Sequence, residues 1–346
     1  VGGVTSQKAL AGFDAAPLIA ADVGGTHARI ALLEPRDAED FAILNYRKYA
    51  CAAYPSLAAI IDEFRASVAG HHADRIALAI AGYVIDGKVV NVNLPWPVSV
   101  ADLRDALGVS DLAIVNDFEA VAHAIGHVDA TAAVLLSGPP QPALPGPMLV
   151  VGPGTGLGAA LRIPHGHNPL VLATEAGQAT LAPDTDFEIE ILRELRKQGS
   201  RVQIEQVLSG TGLMNLYRAI AALRGAEIAL RAPADITAAA RTDAVAGETV
   251  EVFCGWLGGV LGDLALIYGA QGGIYLAGGV LPQMKDLLIE SRFVERFLDK
   301  GAMRQALART PVHLIEHAQL GVIGAASWYF KSVSNAVRDA RVQSHA

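Results

Sequence analysis

Cysteine is nearly absent. Cys51 and Cys254 are the only two in 346 residues, too few for a disulfide framework or a four-cysteine zinc site, and they read as buried thiols of a reducing cytoplasm. Charge is sparse as well: charged residues make up 18% of the chain and the net charge is −8. Without basic runs, this acidic balance argues against nucleic acid as the main partner. Wholesale disorder is excluded, because 52% of the residues are hydrophobic and can bury a large core. A continuous membrane span is missing too. The most lipid-like stretch, 257–281, contains Asp263 and Gln271 and breaks at Gly272-Gly273, whereas a spanning helix needs about 20 apolar residues and an unbroken backbone ladder. We read it as a buried helix through Tyr268, a turn and a buried strand, with no membrane partner. Residues 1–17 lack the apolar core of a secretory signal and read as a loose leader. The chain reads as a soluble protein.

Glycine is what the chain has in excess, 35 residues of 346, about 10% against roughly 7% on average. Its placement organises the sequence. Residues 18–33 alternate apolar positions around Gly24-Gly25, the pattern of a β-hairpin. A helix follows at 55–69, with Ser56 as cap and Leu57, Ile60, Ile61 and Phe64 on one face. Next come a buried strand RIALAIAG, a hairpin around Asp86-Gly87, a capped helix SVADLRDALG, a strand DLAIVN and a helix DFEAVAHAIG. A Pro/Gly-rich connector, 137–147, separates two halves. The second half repeats the opening pattern, with strand MLVVG, turn GPGTGLG and strand AALRI. A helical stretch at 186–268, a strand IYLAGG and a last helix from Gly321 complete it. Two strand–turn–strand copies about 130 residues apart predict a duplicated α/β fold of two lobes with a cleft between them. The expected division is a leader 1–17, a small lobe 18–127 plus 318–346, and a large lobe 128–317.

Two motifs mislead. GYVIDGK, 82–88, matches the start of a Walker A pattern, but Val89 stands where the magnesium-binding hydroxyl belongs and no helix follows. GTGLGA, 154–159, fits a dinucleotide fingerprint with Glu175 about 20 residues on, yet Pro164 interrupts before a packing helix can form. What remains is a pair of hairpin turns, DVGGT at 22–26 and GPGTGLG at 152–158. Glycines let backbone N–H groups approach phosphate oxygens as an anion nest. Thr26 and Thr155 add hydroxyl donors. Asp22, ending a buried strand, is a poor core residue and a good partner for a water-bound magnesium. An ordinary hairpin is the alternative reading of either copy taken singly.

At this point the residues resemble a family. DVGGTHAR (22–29), GPGTGLG (152–158) and LAGGV (276–280) are similar to the two phosphate motifs and the adenosine motif of the sugar kinase, actin and heat-shock ATPase superfamily, a two-lobed ribonuclease H-like fold. VNDFEAVAHAI (115–125), TEAGQATLAP (174–183), EQVLSGTGLMNLYRAI (205–220) and IYLAGGVLP (274–282) resemble bacterial glucokinases of the non-ROK type. The resemblance runs from Leu18 to about Ala326, and two isolated cysteines cannot supply the zinc motif of ROK kinases. It implies ATP-dependent phosphorylation of a hexose at its 6-hydroxyl, with Mg2+, in the cytoplasm, by what is a homodimer in the family. It assigns Gly24, Gly25, Thr26, Gly152, Gly154, Thr155, Gly156, Gly278 and Gly279 to the nucleotide, and Asp22 to magnesium through water.

By the same resemblance, Asp117 is the catalytic base that accepts the proton of the attacking hydroxyl. Asn116-Asp117 before Phe118 is equally a helix-capping pair. Asn93, Asn116, Glu175, Gln178 and Glu205 match sugar-binding positions, and Trp96 belongs to the loop beside Asn93. A helix-start acid is the alternative for Glu205. Buried carboxylates suit a sugar because an acceptor left unpaired penalises the wrong hydroxyl pattern. The departure is Gln178: the family reads E-G-G-H where this chain reads E-A-G-Q. Glutamine keeps a donor and an acceptor but carries no charge, so sugar preference is open to change. Gly82-Tyr83 is a second departure. Histidines 71, 72, 165, 167, 313 and 317 lack the spacing of a ligand set, and no protein-held zinc is expected; His27 lies beside the first turn. Two other hypotheses stand beside glucose phosphorylation: a kinase for another hexose or amino sugar, and a non-catalytic sugar sensor, which intact Asp22 and Asp117 disfavour.

Overall fold

Alternating apolar residues give β1 (Leu18–Val23) and β2 (His27–Pro35), joined by the first glycine turn. The computed structural model describes residues 16–37, 40–71, 73–90, 94–127, 133–166 and 169–343. Asn93, His72, His167, the side chain of Tyr83 and most of the leader lie outside the described residues. The chain folds as two units, Val1–His127 with Ala318–Ala346, and Val128–His317.

The first unit continues with β3 (Phe41–Ala50), α1 (Leu57–Ser67), β4 (Arg75–Ile80), β5 (Tyr83–Ile85), β6 (Lys88–Val90), α2 (Val100–Leu107), β7 (Asp111–Asn116) and α3 (Asp117–Ala124). Its sheet runs β3-β2-β1-β4-β7. β1, β2 and β3 are antiparallel, and β4 and β7 lie parallel to β1. Ser56 caps α1 by accepting from the Ala59 N–H, and Leu57, Ile60, Ile61 and Phe64 are its buried face. β5 and β6 form a separate hairpin. Its tip has positive φ at both Asp86 (50°) and Gly87 (74°), the two-residue turn whose twist matches that of paired strands. The Walker-like residues thus form a hairpin and not a turn into a helix.

The second unit opens with β8 (Ala133–Ser137), β9 (Met148–Pro153), β10 (Leu157–Ile163) and β11 (Leu170–Thr174). Helices α4 (Asp186–Leu195), α5 (Gly210–Arg224), α6 (Pro233–Ala239) and α7 (Ala244–Tyr268) follow. Then come β12 (Ile274–Leu276), α8 (Lys285–Glu290), α9 (Phe293–Leu298), α10 (Arg304–Leu307) and β13 (Val312–Ile315). The sheet order is β11-β10-β9-β12-β13-β8. An antiparallel β9-β10-β11 meander with parallel β12 and β13 beside it repeats the first sheet strand for strand. β8 is an addition, antiparallel to β13. Because β8 precedes residues 137–147 and pairs within the second sheet, the Pro/Gly-rich connector is a loop of the second unit, and the break between halves lies before it.

The chain returns to the first unit with α11 (Leu320–Gln343). Val322, Ala325, Ala326, Tyr329 and Phe330 pack on the face of the sheet formed by Leu18, Ala20, Ala77 and Ala79. A Cβ at Gly324 would collide with the Ala120 carbonyl of α3, so the two helices cross at backbone contact.

α7 is long and apolar enough to cross a membrane, yet 72% of its most apolar stretch is buried inside the fold. Phe253, Trp256, Leu257 and Leu261 join Leu149, Val151, Ile274 and Leu276 of the sheet in one core. Cβ atoms at Gly258 or Gly262 would meet the carbonyls of Phe293 or Phe297. These two glycines therefore serve helix packing of α7 on α9. Beside it lies an ionic cluster that composition did not reveal. Arg296 donates to Glu188 at 2.8 Å and to Asp184 at 2.8 Å, and Arg296 and Glu188 are both buried.

Candidate active site

In the first unit the candidate groups gather at one edge of the sheet. Asp22 is the penultimate residue of β1, and Gly24, Gly25 and Thr26 form the turn beyond it, Thr26 exposed. β1, β4 and β7 are parallel, and Val23, Ile80 and Asn116 stand side by side in register. At about 4.8 Å per strand, the first turn and Asn116-Asp117 lie roughly 10 Å apart along the carboxyl edge of the parallel strands, where ligands of open α/β sheets bind. Asn116 is the N-cap of α3, its Oδ1 accepting from the Phe118 and Glu119 N–H groups. Asp117 Oδ1 accepts from the Phe118 N–H at 2.9 Å. The capping reading and the functional one thus coexist: capping occupies one oxygen of Asn116, and no partner of its Nδ2 is found among the described residues.

Asp22 is held from two sides. Arg29, opposite it across the hairpin, donates at 3.2 Å, and the first turn of α11 presses Gly321 against its side chain so closely that a Cβ there would overlap it. Burial pushes the Asp22 carboxyl up, while the Arg29 guanidinium pulls it back, and the net displacement is upward. His27 goes down through burial and through Lys48 and Arg29 nearby, which leaves it neutral at physiological pH. Arg29 and Gly321 were not singled out from sequence. Arg29 could have been, since the hairpin register sets it opposite Asp22; nothing local marks Gly321, which is some 300 positions away in the chain.

The second unit builds its own edge. Gly154, Thr155 and Gly156 link β9 to β10, and the Gly154 N–H donates to the Gly156 carbonyl at 2.8 Å. α5 starts against this turn: Ser209 caps it, and the Gly210 N–H donates to the Gly154 carbonyl at 2.8 Å. Gly278 follows β12 with φ +104°, and a Cβ would stand 2.7 Å from the Pro153 carbonyl oxygen. Only glycine fits there, and the turn after β12 is thereby packed onto the end of β9. Glu205 joins the same group. Its Oε2 lies 3.4 Å from the Leu157 N–H, its Oε1 accepts from Gln178 Nε2 at 2.7 Å, and a Cβ at Gly156 would be 2.7 Å from Oε2. Glu175 precedes the 3-10 turn Ala176–Gln178, whose Gly177 packs on the Leu157 carbonyl.

Burial corrects part of the sequence reading. Glu175 and Gln178 are exposed, and Asp22, Asp117 and Glu205 are only partly buried; among the described residues the buried acid is Glu188, which pairs with Arg296. The candidate acids sit at strand ends and turns, and those places are solvated. Trp96 is a core residue whose indole N–H donates to the Tyr54 carbonyl, so its polar group is spent within the fold. Among the described residues no group of histidines, cysteines and acids could hold a metal ion directly.

The glycines sort by what a Cβ would meet. At Gly177 and Gly278 backbone carbonyls leave no room, whereas at Gly156 a Cβ would meet only the end of the movable Glu205 side chain. At Gly24 the nearest atom is the His27 carbonyl oxygen at 3.7 Å, at Gly154 the Gly156 carbonyl oxygen at 3.9 Å, and at Gly279 nothing lies within 4 Å. Nothing in the folded chain requires those three to be glycine. The space beside their backbone is open.

Known proteins share this plan. A family model described as Glucokinase matches residues 19–332. The glucokinase-like protein of Xylella fastidiosa is 47% identical over 319 residues, 90% of this chain and 94% of that protein. The glucokinase of Marinobacter nauticus is 38% identical over 308 residues, 88% of this chain and 94% of its own length. A glucokinase crystal structure from an Antarctic psychrotroph superposes with a TM-score of 0.78 at 38% identity, covering 90% of this chain and 98% of that one. A ROK family glucokinase from Streptomyces griseus, in complex with glucose and AMPPNP, shares the fold at a TM-score of 0.61 and 23% identity, over 90% of this chain and 98% of its own. With the match running through both glycine turns and both sheets, the chain belongs to the glucokinase family.

Proposed function

We propose that this chain transfers the terminal phosphoryl group of ATP to the 6-hydroxyl of glucose, giving glucose 6-phosphate and ADP. One observation carries the reading: in a chain of the glucokinase family, both units end buried strands in exposed turns with glycines, Gly24, Gly154 and Gly279, that the fold itself does not require. Backbone N–H groups of these turns, with the hydroxyls of Thr26 and Thr155, supply phosphate donors in the way of an anion nest. Gly25, Gly152, Gly156, Gly278 and Gly279 belong to the same nucleotide contacts. When magnesium accompanies ATP it neutralises phosphate charge, and Asp22 is the residue to hold it through water. The partly hydrated carboxylate, steadied by Arg29, suits a water-mediated contact.

Asp117 is the residue assigned to receive the proton of the sugar hydroxyl. A carboxylate is far less basic than an alkoxide, so the proton moves late, as the new O–P bond forms. Alignment and charge neutralisation supply most of the acceleration. Asn116 Nδ2, Glu175, Gln178 and Glu205 are assigned to the sugar hydroxyls, and Asn93 to the same task from the resemblance. The reaction requires groups of both units to reach one sugar and one nucleotide, and to keep out water, which competes as acceptor. We infer the two-lobed, closing arrangement of the family on that ground. Two buried free thiols support a cytoplasmic setting, and a homodimer follows from the resemblance alone.

A second reading, a kinase for an amino sugar or another hexose, is favoured by Gln178. One of its two amide N–H donors is spent on Glu205, which leaves the other and its carbonyl oxygen for a ligand. A coupled ADP-release assay over glucose, mannose, fructose, galactose and glucosamine decides. Highest kcat/KM on glucose supports the first reading, and a higher value on another sugar transfers it to the second. Measurable sugar binding with no turnover on any of them overturns both.

A further inference from the structure

Cys51 follows β3 and has no solvent exposure, yet two of its groups end on the first glycine turn. Its backbone N–H donates to the Thr26 carbonyl at 3.0 Å, and its thiol donates to the Gly24 carbonyl at 3.3 Å. The turn is closed on itself by the Gly24 N–H, which donates to the His27 carbonyl at 3.0 Å. Packing alone would account for a small apolar residue at this place, among Val23, Ala28 and Leu57. It would not account for a sulfur donor ending on a carbonyl of the turn.

The consequence follows from the peptide unit. All described peptide bonds are trans, and a trans peptide is planar, with its C=O and N–H directed to opposite sides. Fastening the Gly24 carbonyl inward onto a buried thiol therefore fixes the Gly25 N–H outward. We propose that Cys51 is a positioning residue for nucleotide binding: by holding the Gly24 carbonyl, its thiol presents the Gly25 N–H to a phosphate oxygen. The proposal rests on the nucleotide reading of this turn given above. Burial pushes the Cys51 thiol up from its ordinary range, which keeps it protonated and a donor at physiological pH; a thiolate has no proton to give.

The test compares Cys51→Ala, Cys51→Val and Cys51→Ser in the full-length protein, with Gly24→Ala as reference. Loss of the donor in the Ala and Val variants raises KM for ATP about three- to tenfold, the size of one hydrogen bond. KM for glucose stays within about twofold, a split that a general loosening of the fold would not produce. Serine keeps a donor and brings KM for ATP most of the way back. In Raman spectra, the S–H stretching band that vanishes in Cys51→Ser sits at the lowered frequency of a hydrogen-bonded thiol. An unchanged KM for ATP in both Ala and Val variants overturns the proposal, as does a Cys51 band at the free-thiol frequency. If Cys51→Ala does not fold, the valine variant and the Raman band carry the decision. If Gly24→Ala raises KM for ATP and the Cys51 variants do not, the thiol's role alone fails; if Gly24→Ala also leaves it unchanged, the nucleotide reading of the turn fails with it.

Discussion

Alanine at Gly24 and alanine at Gly278 are expected to separate function from folding. Both positions lie in glycine turns, but the space around them differs. At Gly278 the backbone has φ +104° and a Cβ would stand 2.7 Å from the Pro153 carbonyl oxygen. Strained backbone costs about 1–3 kcal/mol and a contact that must be relieved against backbone costs about as much again. Gly278→Ala is therefore expected to lose on the order of 3 kcal/mol of stability. Gly24 is not among the positive-φ residues, and its nearest neighbour would be 3.7 Å from the new methyl. Removing a glycine's freedom from the unfolded chain stabilises by about 0.4–1 kcal/mol where the native conformation is compatible, so Gly24→Ala should be neutral to slightly stabilising. Its cost appears elsewhere, as a methyl where a phosphate oxygen would approach, and we expect KM for ATP to rise at least about tenfold, or 1.4 kcal/mol. Urea unfolding gives the stability arm and initial rates at varied MgATP the other. A Gly24→Ala protein destabilised as much as Gly278→Ala, or one with KM for ATP unchanged, refutes the reasoning.

Three further outcomes are expected. Asp117→Ala removes turnover while sugar affinity, read by calorimetric titration, stays within about tenfold, or 1.4 kcal/mol; retained turnover would take the base from Asp117. Arg296→Ala leaves Glu188 buried without its partner and lowers the stability measured by urea unfolding by about 3–5 kcal/mol, with KM values unmoved in protein that remains folded; a loss below 1 kcal/mol would show the pair to be solvated. Burial pushes the Cys254 thiol from 9.0 up to about 12, so the folded chain keeps a proton that the unfolded chain releases in that window. The corresponding stability is complete below pH 9.0 and is lost as pH rises toward about 12. The stability difference between wild type and Cys254→Ala should narrow across that range, and a constant difference would contradict it.

Much of the fold was legible because each element carries a local signal. Ser56 and Ser99 mark helix starts through the backbone N–H groups they accept from, and Asp86-Gly87 marks a hairpin through its two positive φ angles. β3, β8 and β11 were not read from the sequence. All three are edge strands, and pairing with β2, β13 and β10 decides them. The same holds for the connector, whose glycines and prolines signalled a boundary while β8 tied the preceding strand to the second sheet. At the candidate site, the turns and acids were legible as motifs, and their partners Arg29, Cys51 and Gly321 were not. A partner is chosen by sheet register or helix docking, which sequence neighbours do not report.

By itself the sequence determined the duplicated strand–turn–strand pattern, the turns with exposed glycines and the order of motifs that marks the family. These are local or linear properties: a turn requires its own residues, and a motif its own spacing. Only the tertiary structure decided which glycines serve the fold and which stand open. Gly24 and Gly278 look alike in the sequence, and what distinguishes them is the 3.7 Å or 2.7 Å to a carbonyl contributed by the surrounding fold. It also decided which acids are dry. From the sequence, the carboxylates matched to the sugar, Glu175 and Glu205, read as buried. Packing instead buried Glu188, because Arg296 reaches it from a helix more than a hundred residues away, and left Asp22, Asp117, Glu175 and Glu205 at strand ends and turns, where water can reach them.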